Sequence, residues 1–165
     1  MGENPPNTPD ERPMSAPAPD LAAWFEKDRE HTRRANESLP ANKTSLFNAL
    51  AVAGITHVFV HFDGYGDSGQ IENIEAKAGN EIVALPNERI EITDPIWGSV
   101  EIERQTHAIE EAIEHMAYAF LRQTHDGWEN NDGAYGDFTF DVAERTITLD
   151  FNERYTSSDN YTHEF

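Results

Sequence analysis

The sequence predicts an α+β fold, an antiparallel sheet of about four to five strands with amphipathic helices packed on one face. Two observations carry this reading. Alternating apolar runs come in pairs joined by connections too short for a crossover helix, so paired strands must be antiparallel. Two other segments repeat their apolar residues at helical spacing, and such helices bury their stripes against a sheet face.

Residues 1 to 19 hold six of the nine prolines among Asn, Thr, Ser, Ala and acids. That composition buries too little apolar area to offset chain entropy, and the stretch reads as a disordered tail. A single domain is expected from residue 20 to residue 155. Asp20 is a suitable N-cap for a helix running to about Glu37, in which Leu21, Trp24 and Phe25 form one apolar turn. Arg33 and Arg34 on it are expected to pair with the acidic body. After Pro40 a second helix is expected from Asn42 to Ala53, with Leu46, Leu50 and Ala53 on one face and Gly54 as its stop.

Ile55 to Phe62 then alternates. Val58, Val60 and Phe62 belong to the buried face, and His57, Phe59 and His61 to the open one. The acidic glycine loop Asp63-Gly64-Tyr65-Gly66-Asp67-Ser68-Gly69 leads into a returning strand, Ile71 to Ala76, whose Ile71/Ile74 spacing suggests a bulge. One further strand is expected at Ile90 and Ile92. A long helix is expected from about Val100 to His125, with Ile109, Ile113, Met116, Ala117 and Phe120 as its stripe. Turn residues 128 to 133 separate it from a final hairpin, with Phe138, Phe140 and Val142 and then Ile147, Leu149 and Phe151 pointing inward. Residues 156 to 165 read as a flexible C-terminal tail.

Asp and Glu number 31 against 12 Lys and Arg, for a formal charge of −19. Beyond residue 40 the balance is 23 acids to 7 bases, so the charge belongs to the folded body. This argues against direct nucleic-acid binding and against anionic membrane surfaces, and for a basic protein partner. No cysteine is present, no stretch approaches a membrane span, and residues 1 to 20 lack an apolar signal segment, so a cytoplasmic location is expected.

The sequence contains no nucleophile motif and no phosphate loop, and neither catalytic residues nor a cofactor are expected. Asp63 and Asp67, echoed by Asp132 and Asp137 in Asp132-Gly133-Ala134-Tyr135-Gly136-Asp137, invite a divalent-cation reading. They lack the ligand number and spacing of a calcium loop, and turn formation is the better account of each loop taken alone. His57 and His61 lie roughly 13 Å apart along one strand and cannot share a metal. His107, Glu111 and His115 fit a solvated helix flank. Trp128 is either a recognition anchor beside Asn131 and Asp132 or a cover for the end of the long helix. The candidate binding residues are therefore Asp63, Tyr65, Asp67, Trp128, Asn131, Asp132, Tyr135 and Asp137, and the open sheet face should add His57, Phe59, His61, Thr139, Asp141, Thr146, Thr148, Asp150 and Asn152.

On the stretches 62 to 71 and 128 to 136, with Leu149-Asp150-Phe151-Asn152-Glu153-Arg154-Tyr155 after them, residues 20 to 155 resemble a bacterial domain family of unknown function. The resemblance implies a small acidic protein associated with plasmids or other mobile elements, and it brings no activity, substrate or catalytic residue with it. The expected function is a non-catalytic acidic binding protein engaging a basic partner, a nucleic-acid mimic in a mobile-element or host-defence setting. The alternative is a divalent-metal module, or a metal-dependent enzyme, in which the two Asp-Gly loops meet.

Overall fold

One helix, α1 (Leu21–Val52), stands where two were expected, and it carries Pro40 within it. The computed structural model describes Gly2 and residues 20–165, so the expected N-terminal tail lies outside the described residues apart from Gly2. Proline removes the N–H that would reach the carbonyl four residues back, and a helix ordinarily stops before it. Here both sides of the proline are tied to one neighbouring stretch, residues 93 to 100, a strand end and the loop that follows it. Arg34 donates to the carbonyls of Ser99 and Val100, and Asn42 grips Thr93, so a continuous helix satisfies both anchors. Arg33 pairs with Glu30 and Glu37 of its own helix, not with the acidic body. Asp20 caps the start through Ala23 N–H. At the other end Gly54 donates to the Ala51 carbonyl and Ile55 to that of Leu50, both at 3.0 Å, with Gly54 at φ 75°, the paired bonds that close a helix on a left-handed residue.

Asn42 is the buried polar residue of the core. Its amide accepts from Thr93 N–H and donates to the Thr93 carbonyl, each at 2.9 Å, as a neighbouring strand would. Asn42→Ala leaves both backbone groups without partners and is expected to cost about 2 kcal/mol, read from urea midpoints. Asn42→Asp should be poorer than wild type as well, because a carboxylate cannot donate to the carbonyl.

The remaining elements are β1 (His57–Tyr65), β2 (Ser68–Ala78), β3 (Glu81–Val83), β4 (Arg89–Pro95), β5 (Ile102–Ala108), α2 (Ile109–His125), β6 (Ala134–Asp141) and β7 (Thr146–Glu153). They form a five-stranded antiparallel sheet in the order β3-β2-β1-β6-β7 and a separate β4-β5 ribbon, an α+β fold. The expected long helix begins only at Ile109, and residues 102 to 108 are a strand. The apolar stripe itself starts at Ile109, whereas the residues before it are mostly polar and exposed and supply the ladder partners that β4 needs, from Arg89↔Ala108 to Pro95↔Ile102.

Val58, Val60 and Phe62 of β1 and Phe138 and Phe140 of β6 are fully buried, as their parity requires. Phe47 of α1 meets Phe140 at 6.3 Å between ring centroids, and Phe120 of α2 meets Phe138 at 6.5 Å, so both helices touch the same sheet face. Leu46, Leu50, Ile113, Met116 and Leu121 fill the space around these rings. The expected bulge is present: the β1–β2 register slips between His61↔Asn73 and Phe62↔Ile71. Beside the slip, Ile71 N–H donates to the Tyr118 hydroxyl of α2 at 3.0 Å.

Candidate functional site

The two Asp-Gly stretches meet because β1 and β6 are neighbours, with His61 opposite Asp137, Asp63 opposite Tyr135 and Gly64 opposite Ala134. Neither stretch is the loop expected. β1 and β2 run straight through Asp63, Gly64 and Gly69, and the turn is only Gly66-Asp67, both at positive φ (55° and 69°) between the paired Tyr65 and Ser68. Two central residues at positive φ make the tight turn whose twist suits a hairpin. Its amides continue outward, Gly66 N–H to the Asn131 carbonyl at 3.0 Å and Asp67 N–H to the Glu129 carbonyl at 3.2 Å. The hairpin tip and the loop after α2 are thus one structure.

Gly64 and Gly69 are not at positive φ; they face each other across the ladder for another reason. A Cβ on Gly64 would stand 2.6 Å from Cζ3 of Trp128, and one on Gly69 would stand 2.7 Å from the same atom. The glycine pair forms a slot for the indole, which meets Phe62 edge-on at 5.3 Å. Trp128 therefore covers the end of the sheet, beside the last turns of α2, and an aromatic ring fills the space two strand glycines leave.

The other candidate residues divide by partner. Asp63 receives a 2.8 Å hydrogen bond from Arg154, which also reaches the Gly64 carbonyl and lies 4.6 Å over the Tyr135 ring. Asp132 accepts from Thr156 at 2.8 Å, Asp137 contacts His61 Nδ1 at 3.0 Å, and Asn131 takes φ 60° in its turn. Tyr65 is 72 % exposed at the tip of the face. The four aspartates do not converge, and among the described residues no group of three or more His, Asp or Glu is placed to hold a metal ion.

The Arg154 bond holds the Asp63 carboxyl below the usual carboxylate range. A lowered folded value means that the pair contributes in full above the unfolded value of about 4 and is lost as pH falls through the lower folded one. Arg154→Gln should lower the urea midpoint at pH 7, and the gap from wild type should narrow as the pH is taken down towards 2.

The sheet face turned away from the helices is the broader site. Cross-strand rows run Lys77, His57, Asp141, Thr146; then Glu75, Phe59, Thr139, Thr148; then Asn73, His61, Asp137, Asp150. Phe59, expected as an exposed aromatic, is half-buried: His57 stacks beside it at 6.1 Å and Lys77 Nζ sits 5.4 Å from its ring centroid. Asp137 and Asp150 stand directly opposite on neighbouring strands, both exposed. Like charges in that position destabilise a sheet.

A second concave region escaped the sequence reading. His115 Nε2 bonds Asp94 at 3.0 Å, and the His107 ring, on β5 and not on a helix, lies 6.0 Å from that of His115. These residues come from β4, β5 and α2, and no local spacing in the chain announces their meeting.

Fold and face together define a small α+β protein with an acidic, uncovered sheet surface. Residues 38–165 match the model of DUF6878, a family of unknown function, and the chain belongs to that family. The matched span begins inside α1, later than the resemblance suggested, and runs to the C-terminus. No curated protein and no solved structure matches the chain. Among the described residues no helix is long and apolar enough to cross a membrane.

Proposed function

We infer that this is a non-catalytic binding protein whose open sheet face engages a basic protein partner, imitating the charge of nucleic acid in a mobile-element or host-defence setting. The observation that carries the reading is the opposed Asp137–Asp150 pair with Asp141 on the same face. The fold tolerates this repulsion on a rigid surface, where cations from a partner would relieve it. Rigid strands hold the carboxylates at fixed spacing, which suits a partner built to read a charged backbone.

Asp150→Asn removes one charge of the pair without touching the His61 contact. It should raise stability at low salt by about 0.2–1 kcal/mol and weaken salt-sensitive capture of basic, nucleic-acid-binding proteins from a bacterial lysate. Identifying the captured proteins decides the matter. Acidic proteins in the eluate, or capture equal for wild type and Asp150→Asn, would overturn the reading and leave the charge as a determinant of solubility.

A further inference from the structure

A concavity of about 740 Å³ lies between the N-terminal half of α1, the end of β4 with the loop after it, and α2. Two aromatic side chains mark one end. Trp24 and Trp97, 48 % and 44 % exposed, stand 6.3 Å apart between ring centroids, and Phe25 continues the patch at 5.3 Å from Trp24. Exposed tryptophans grouped in this way mark interaction sites more often than solvated surface.

The charged lining is Asp28, Asp94 and Asp126 against Arg122 alone. Asp94 is half-buried, and its hydrogen bond from His115 holds the carboxyl below the usual carboxylate range. His31 also lines the cavity, and its Nδ1 is buried without a hydrogen-bond partner. An aromatic wall and an excess of carboxylates describe a receptor for an organic cation. Donors for a metal ion do not converge there.

We propose that this groove binds an arginine side chain presented by a basic segment of a partner protein. A guanidinium stacks on an indole face and forks onto a carboxylate at the same time, which an ammonium cannot do as well. Trp97 and Trp24 offer the faces, and Asp28 and Asp94 offer the oxygens. A second copy of the chain is a poor occupant, since each copy carries −19. The groove shares no residue with the open sheet face, so it stands or falls separately from the function inferred above.

The probe is the peptide acetyl-Gly-Arg-Gly-Arg-Gly-amide, with a citrulline version that keeps the shape and removes the charge. Titrated into the ¹⁵N-labelled full chain, the arginine peptide should shift amides in residues 24–36, 94–97 and 115–126. The citrulline peptide should bind about tenfold more weakly, as loss of hydrogen bonds to charged groups implies. Trp97→Ala and Asp28→Asn, at positions that hold no core contact, should each weaken the arginine peptide several-fold, while Asp150→Asn should leave these shifts unchanged. Shifts confined to the sheet face, equal binding of the two peptides, or groove shifts that grow with protein concentration before any peptide is added would each overturn the proposal.

Discussion

Gly133→Ala is expected to destabilise the protein by about 3 kcal/mol or more, close to the limit of what one added methyl group can do. Gly133 sits at φ 78°, where an L-residue pays roughly 1–2 kcal/mol. The new Cβ would also stand 2.6 Å from the Gly64 carbonyl carbon and 2.7 Å from Tyr65 Cα, with the Gly64 oxygen closer still. These are backbone atoms of β1, held on one side by β2 and on the other by β6, so they cannot swing away as a side chain would. Gly133 is itself pinned, donating to the Asn130 carbonyl at 3.0 Å and accepting from Arg154 N–H at 2.9 Å. Gly79→Ala is the control, because Gly79 has φ 64° but nothing within 4 Å of its Cβ position. It should show the conformational cost alone. Equal urea midpoints for the two variants would mean that the two Asp-Gly stretches are not rigidly apposed.

That apposition shows where sequence patterns carry information and where they stop. Strand parity was legible, since Val58, Val60 and Phe62 alternate with His57, Phe59 and His61, and a period of two is enough to assign faces. The stripe of α2 was legible from Ile109 onward for the same kind of reason. Its supposed extension back to Val100 was not helical, because a strand's need for a ladder partner in β4 is a tertiary demand that no window of residues displays. Pro40 misled in the opposite direction. The rule that proline ends a helix is local, and here the anchors at Arg34 and Asn42 on its two sides override it.

The site residues follow the same division. Aspartates and glycines in a row read as a loop, and Gly66-Asp67 does turn, but Gly64 and Gly69 are strand residues kept bare for an indole 59 and more positions away in sequence. Asp63 reads as a ligand until Arg154 is seen beside it. The Asp94–His115 contact draws on two elements, and His107, expected on the long helix, lies on β5. Charge excess, by contrast, is visible in composition, and Asp141 and Asp150 lie on the open face where strand parity put them, with Glu75 and Asp137 beside them.

The second large effect decides whether Trp128 is scaffold or recognition anchor. Trp128→Ala should cost about 3 kcal/mol, near the low end for aromatic truncation because the ring is only half-buried. Gly69→Ala should cost a similar amount, about 2–3 kcal/mol, since its Cβ would meet Cζ3 of the indole at 2.7 Å and Cβ of Glu129 at 2.9 Å. The two losses should not add. With the indole gone the added methyl group occupies part of the space it vacated and only the Glu129 contact remains, so the double variant should be less stable than Trp128→Ala by about 1 kcal/mol at most, a coupling of roughly 1–2 kcal/mol. Additive losses would show that Gly69 is required by its own backbone and not by the ring. An anchor for a partner behaves differently, because Trp128→Ala would then abolish capture of the basic partner while the urea midpoint hardly moved. The edge-on contact with Phe62 and the glycine slot place the indole inside the architecture of the sheet end, so stability should report its loss first.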